Sequence, residues 1–264
     1  MAFAKTTPRR ANFSASGLSI TPIAGLPEIQ KGHSLAGLIA ECAARQRFSF
    51  RDGDVVVVAQ KIISKAEGRV VSLENIRPSP RARRLARRLP HDAAFVEVVL
   101  RESRRIVRRG PRVLIVETRH GFICANAGVD RSNVPGANSV TLLPKNPDFS
   151  ARRLAAALRH RTRKRVAVII SDTFGRPWRL GLVNVAVGAA GLPVLLDFRG
   201  RRDRAGKRLH ATIEAVADEL AAAAGLLMDK SAGLPVVVIR GLRLPLRQES
   251  AKRLIRPPHE DLFR

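Results

Sequence analysis

Short aliphatic runs rich in β-branched residues punctuate the chain at LSITPI, DVVVVAQ, RVLIVET, VTLLP, VAVIIS, PVLLDF and PVVVIRGL. Runs of this length and composition predict strands. Between several of them, apolar positions recur at helical spacing. The clearest case is TIEAVADELAAAAGLLM, residues 212–228, where Ile213, Val216, Leu220, Ala224 and Leu227 fall on one stripe. Its acids gather in the first half, the side that the helix dipole favours. Other helices are predicted to begin near Ser34 and Ser150, and in arginine-rich stretches whose apolar residues recur at helical spacing: RARRLARRL (81–89), RESRRIVRRGPR (101–112) and RRLAAALRHRTRKR (152–165).

Interleaved strands and helices predict an α/β or mixed α+β fold rather than a bundle or a sandwich. No internal repeat or Pro/Gly-rich linker stands out, and basic helices give way to aliphatic strands near residues 145–165. The expectation is a flexible basic leader over 1–16, one connected domain of two lobes over 17–245, and a short C-terminal tail over 246–264.

Composition narrows this picture. With 264 residues, 45% of them hydrophobic, the chain is large enough to bury a substantial core. Aromatics are only 4% and tyrosine is absent, so aliphatic packing must dominate. Two distant cysteines, Cys42 and Cys124, do not make a secreted disulfide framework. No apolar run reaches the roughly 18 residues of a membrane helix, and the start MAFAKTTPRRANFSASG lacks the apolar core of a signal peptide. A cytoplasmic setting without membrane association is expected.

The formal charge of +26 raises the question of a polyanionic partner. There is no zinc-finger spacing and almost no aromatic residue beside the arginines to stack a base. Specific nucleic-acid recognition is therefore disfavoured against a solvated, arginine-biased surface. Histidines 33, 91, 120, 160, 210 and 259 show no metal-ligand pairing, and no nucleophile elbow or Cys–His signature is present. Cys124, inside an apolar run, reads as a packed thiol.

Four segments combine a strand end with groups that carry chemistry. In GLPEI (25–29), glycine and proline fix a turn whose amides can face an anion, or simply close a strand exit. In VVVVAQKIISKAEGR (55–69), Lys61 and Lys65 follow a buried-type strand; they suit phosphate oxygens or a surface turn, and the glycines of a Walker A loop are missing. In GFICANAGVDRSN (121–133), Asp130 with Ser132 and Asn133 suits a hard divalent cation, or equally an Asx-turn. In VAVIISDTFGRPWR (166–179), Asp172 and Thr173 stand at the strand's carboxyl end and Arg176 lies in the following loop. Acid, hydroxyl and guanidinium together fit metal-bridged phosphoryl transfer, with Arg176 offsetting developing charge; a helix cap is the alternative.

In order, GLPEI, DGDVVVVAQKIISKAEGR, GFICANAGVDRSNV, LLPKNPDFSA, VAVIISDTFGRPWR, VAVGAAGL, VADELAAAA and PVVVIRGL resemble the motif series of the coenzyme F420-0:L-glutamate ligases, from about residue 18 to about 242. The resemblance implies a two-lobed α/β ligase fold unrelated to ATP-grasp, usually in a homodimer. It implies a GTP-dependent enzyme that adds L-glutamate to F420-0, then further glutamates through γ-linkages, by way of an acyl phosphate. Two divalent cations, Mg²⁺ or Mn²⁺, and often a monovalent cation such as K⁺, would assist. Carried onto this sequence, the GTP-contacting turn falls on Leu26, Pro27, Glu28 and Ile29, and further nucleotide contacts on Gln60, Lys65 and Asn133. The metal-binding residues fall on Asp130, Asp172 and Thr173.

The sequence also departs from that pattern. Gln60 stands where some relatives have serine. GLVNVA replaces a GQTDVA-like sequence, so Leu182 and Asn184 lack its amide and carboxylate. MDK (228–230) stands where a glycine is usual. With Asp229, these departures motivate a second expectation, a related ligase with a different acid acceptor. A third is a basic nucleic-acid-binding protein on a ligase scaffold.

Overall fold

The computed structural model describes residues 17–134, 136, 138–228 and 231–262. The leader expected over 1–16, and Asp229, lie outside the described residues. The chain opens with β1 (Ser19–Pro22), α1 (Leu35–Arg45), β2 (Val55–Ala59) and α2 (Gln60–Ala66). It then forms β3 (Val70–Ser72), α3 (Pro80–Ala86), α4 (Ala93–Arg101), β4 (Ser103–Arg109), β5 (Leu114–Thr118), β6 (Ile123–Ala125) and β7 (Ser139–Thr141). It continues through α5 (Pro147–Thr162), β8 (Ala167–Arg176), β9 (Arg179–Ala190), β10 (Leu196–Asp197), β11 (Ile213–Glu214), α6 (Val216–Gly225) and β12 (Val236–Arg240).

The fold is mixed α/β. Its main sheet runs in the order β1-β12-β2-β8-β9, with β2 and β8 parallel and the other neighbours antiparallel. Successive side chains of a strand point to opposite faces. Val56, Val58, Val168 and Ile170 pack with residues of α1 and α5 on one face. Val55, Val57, Ala167 and Ile169 pack with Val216, Ala217, Leu220 and Ala221 of α6 on the other. Coverage on both faces is why β2 reads as an unbroken valine run rather than an alternation. A third core, built on Phe95, Val96, Val99, Leu114, Val116 and Val140, belongs to the second lobe, which carries the two-stranded sheet β3-β7 and the three-stranded sheet β4-β5-β6.

Two buried carboxylates tie the main lobe together. Both oxygens of Asp54, at the mouth of β2, accept from the Arg240 guanidinium at 2.8 and 2.7 Å. This bidentate pair, with Arg240 also lying over the Phe48 ring, locks the far end of β12. Asp148 at the start of α5 accepts from the Ala189 and Ala251 amides at 3.0 Å each and from the Ser250 hydroxyl at 2.6 Å. It thereby fastens β9 and the chain's last segment to one helix.

Several expectations need correction. Residues 103–109, expected as helix, form strand β4. Its arginines sit on the exposed side of a bulged ladder with β5, whose own alternation buries Leu114, Val116 and Thr118. The predicted helix over 212–228 starts only at Val216, because Ile213 and Glu214 pair with Leu196 and Asp197 as β11 and leave Ile213 exposed. The stretch after Ser171 is not a loop: β8 continues to Arg176 and turns back as β9 in a long hairpin. The lysine segment after β2 is helix α2 rather than a turn. Among the described residues, no helix is long and apolar enough to cross a membrane.

Gly188, in the buried half of β9, lies where an added Cβ would meet the Pro147 carbonyl carbon and oxygen at 2.6 Å. Those are backbone atoms and cannot swing away. Gly188→Ala is expected to destabilise the fold by about 1–3 kcal/mol and to lower the melting temperature by roughly 3–10 °C; an unchanged melting curve would contradict this packing.

Candidate active site

The parallel register runs from Val55 opposite Ala167 to Ala59 opposite Ser171, so both strands reach their polar continuation side by side. Gln60 starts α2 beside β8's Asp172 and Thr173. Ligand sites in α/β sheets form at such carboxyl ends. A cleft of about 650 Å³ opens here. Its walls are the 26–29 turn, the first turns of α2, Asn133 and Val134, the β8 residues Ser171, Asp172 and Thr173, Asn184 of β9, Met228, Ser231 and residues 233–235.

Leu26, Pro27, Glu28, Ile29, Gln60, Lys65, Asn133, Asp172 and Thr173 all line this cleft. Asp130 stands just behind it, joined through Lys61, which does line it. Arg176 lies apart, near the exposed tip of the β8–β9 hairpin, where its guanidinium donates to the Leu180 carbonyl at 2.8 Å.

Both cleft lysines are held by carboxylates. The stem of Lys65 is buried and its ammonium lies 2.5 Å from Glu28 Oε1, which bridges α2 to the 26–29 turn. Lys61 Nζ lies 2.7 Å from Asp130 Oδ2 and donates to the Ser132 carbonyl at 3.1 Å and to the Ser132 hydroxyl. The other Asp130 oxygen accepts from the Ser132 amide at 2.7 Å, so the Asx-turn is formed. The Asp130 backbone pairs with Thr141 in both directions, at 3.1 and 2.9 Å. Burial alone would push the Asp130 carboxyl up, but the Lys61 ammonium and the Ser132 amide outweigh it and hold it below the usual carboxylate range. Asn133 follows with φ +56°, a left-handed conformation that asparagine tolerates better than most residues.

On the opposite wall, Asp172 Oδ1 accepts from the Thr173 amide at 2.8 Å. The Thr173 hydroxyl donates to Asn184 Oδ1 at 3.3 Å, as their paired strand positions require. Asn184 Nδ2 reaches Ser171 Oγ at 3.5 Å and Met228 Sδ at 3.6 Å. Gln60 is buried; its Oε1 accepts from the Ser64 hydroxyl at 2.8 Å, while its Nε2 has no partner among the described residues. An unpaired buried donor is costly, and an acceptor on a ligand in the cleft would offset that cost. Behind this wall, burial and the neighbouring Asp172 carboxylate push the Cys124 thiol up to about 12, so it is a packed thiol and no nucleophile.

The donor set fits a hard divalent cation. Asp172, Thr173, Ser171 and Asn184 offer carboxylate, hydroxyl and amide oxygens, the preference of Mg²⁺ and Mn²⁺. Among the described residues no group of three or more His, Cys, Asp or Glu side chains converges. Few protein carboxylates is also the pattern for Mg²⁺, which completes its shell with water and substrate phosphates. Asp130 is already paired with Lys61 and would join such a site only with that ammonium shared or displaced.

Sequence reasoning singled out Asn184 and the MDK segment only as departures from the family pattern, and did not name Ser171 or residues 233–235 as lining groups. The register with Thr173 is what places Asn184 on the cleft wall.

Known proteins bear on this geometry. A family model described as F420-0:Gamma-glutamyl ligase matches residues 24–241. A protein of Methanothermobacter thermautotrophicus named coenzyme F420:L-glutamate ligase is 46% identical over 251 residues, 94% of this chain and 99% of that protein. A protein of the same name from Methanopyrus kandleri is 47% identical over 252 residues, covering 94% of this chain and 98% of the relative. Another from Archaeoglobus fulgidus is 43% identical over 248 residues, covering 94% and 96%.

The Asp130 pairing makes a pH prediction. A carboxyl held below its unfolded value contributes stability that is complete above that value and lost as pH falls through the lowered one. In Lys61→Met the burial is left unopposed by the ammonium, so the Asp130 pKa is expected to rise and its acid-side stabilisation to shrink. Carboxyl-carbon NMR titration reads the shift; an unmoved Asp130 resonance would contradict the pairing.

Proposed function

The chain belongs to the F420-0:gamma-glutamyl ligase family, and from that premise we propose that it joins L-glutamate to the lactyl carboxylate of coenzyme F420-0, and then further glutamates through γ-linkages, with GTP as co-substrate. The observation that carries this reading is the convergence on one cleft of the 26–29 turn, Gln60, Lys65, Asn133, Asp172 and Thr173. These residues come from four separate stretches of the chain, and the resemblance ties all of them to nucleotide or metal.

A carboxylate is a poor acyl donor, so it must be activated. In the proposed reaction its oxygen attacks the γ-phosphorus of GTP, the bond to the β-phosphate oxygen breaks, and GDP leaves. The amine of glutamate then attacks the acyl-phosphate carbonyl, phosphate departs, and the amine's extra proton is released. Lys65, its stem buried and its ammonium aimed by Glu28, is set to meet phosphate oxygens as a point charge. Gln60 offers its unpaired donor, and the 26–29 turn lines the same space. Asp172 and Thr173, with Asp130 once Lys61 yields, are the residues that would hold Mg²⁺ or Mn²⁺. When bound, two such ions, with K⁺ as a monovalent helper, would supply positive charge to the transferring phosphoryl group. Arg176, at the hairpin tip, would reach that charge only if the hairpin bends inward. A homodimer, on the resemblance alone, and a cytoplasmic setting, from the sparse cysteines, complete the reading.

Asn184 favours a second reading, the same phosphoryl chemistry on a different acid, because an amide stands in the cleft where a carboxylate is the family pattern.

Incubating the protein with GTP, Mn²⁺, F420-0 and L-glutamate is expected to give products heavier by one or more glutamyl residues, with one GDP formed per residue added. Asp172→Asn is expected to slow this at least about 100-fold. GDP release without glutamyl mass on F420-0 would favour the second reading. Neither product, beside an active ligase as control, would overturn both.

A further inference from the structure

Two clusters of arginines outside the cleft are arranged differently from the lysines inside it. A groove of about 770 Å³ between the outer face of α5 and residues 246–248 is lined by Arg152, Arg159, His160, Arg163, Arg165 and Arg247, and by no carboxylate among the described residues. Arg247 pairs with Glu249 at 3.6 Å. Arg152, Arg159, Arg163 and Arg165 make no ion pair with any described residue, and all four are exposed. The second lobe repeats the pattern: Arg81, Arg84, Arg87, Arg88 and Arg109 surround a cavity of about 650 Å³ that also lacks a lining acid.

The helix dipole accounts for Arg159 and His160, which stand in the last turn of α5. It does not account for Arg152 in the middle of the helix, Arg165 at the entry to β8, or Arg247 from the last segment. Guanidinium groups gathered from three parts of the chain repel one another, and an anion that spans them removes that repulsion. The guanidinium fork matches phosphate oxygens. Among the described residues no Phe, Tyr or Trp lines the groove and His160 is its single ring, so unpaired bases would find little to stack on, and a duplex that presents its backbone fits better than a single strand. Val166 lines the groove and Asp172 lines the cleft; six residues of strand separate them, about 20 Å. The groove is therefore independent of the proposed active site.

We infer that the groove between α5 and residues 246–248 binds the phosphate backbone of duplex nucleic acid without reading its sequence. The test is fluorescence anisotropy of the full chain with two unrelated labelled duplexes of about 20 base pairs, across roughly 50 to 200 mM salt. Both duplexes are expected to bind alike, and inorganic polyphosphate is expected to compete. A variant carrying Arg152→Gln, Arg159→Gln, Arg163→Gln and Arg165→Gln is expected to lose at least about tenfold in affinity for both. Its log–log salt slope should become shallower by roughly 3 to 4, at about 0.9 per phosphate contact. A control variant with the same charge change, Arg201→Gln, Arg202→Gln, Arg204→Gln and Arg208→Gln, is expected to shift the slope by less than about 1. Equal losses in the two variants would assign the binding to diffuse charge and overturn the inference. So would no binding by the wild type, or a strong preference for one duplex.

Discussion

The arrangement rests on the burial of β2 and β8 from both sides. Because α1 and α5 cover one face and α6 the other, neither strand can carry a polar side chain until it leaves that cover. The register then fixes where this happens: Ala59 ends opposite Ser171, and Gln60, Lys61, Asp172 and Thr173 emerge together. A slip of one residue would turn every valine of β2 to the other face. The same hydrophobic constraint that holds the fold thus sets the spacing between the lysine wall and the acid wall of the cleft.

Within the cleft, charge is balanced locally. Lys65 faces Glu28 and Lys61 faces Asp130, so the net charge of +26 is carried mainly elsewhere. Locally paired lysines are oriented without leaving a strong unsatisfied field, and an incoming phosphate must compete with a carboxylate for each ammonium. In the proposed reaction a divalent cation held by the carboxylates would relieve that competition, because it would give them a new partner. Apart from Arg247, which pairs with Glu249, the arginines lining the groove and the cavity have no such partner among the described residues. Long-range steering of anionic substrates draws on the whole surface, which leaves the groove's local clustering as a separate feature.

Much of this was legible in the sequence. The aliphatic runs marked β2, β8 and β12, because strands buried on both faces have an unambiguous composition. The four strand-exit segments were also legible as candidates, each beside a structural alternative, and what the fold adds is that residues from all four line one cleft. The β8–β9 hairpin was not. Gly175 and Pro177 read as a loop, and the small residues of GLVNVAVGAA carry no strand periodicity; pairing with β8 makes that segment a strand. Strand β4 was misread because alternating arginine pairs and aliphatic pairs mimic helical spacing, and only the facing β5 decides between them. The Lys61–Asp130 pair spans 69 positions of sequence, so no local pattern could announce it, whereas the local Asx-turn at Asp130, one of the two readings of that stretch, is formed.

The central claim is that the two walls of the cleft act on one nucleotide–metal complex, with Asp130 and Asp172 both turned to it. Crystals grown with Mn²⁺ and a non-hydrolysable GTP analogue, measured at the manganese absorption edge, test this directly. The account predicts anomalous density within coordination distance of Asp172 and Thr173 and of Asp130, with Lys61 withdrawn from Asp130 and the analogue's phosphates beside Lys65. Manganese bound elsewhere, or a nucleotide lying outside the cleft with the Lys61–Asp130 pair intact, would contradict it.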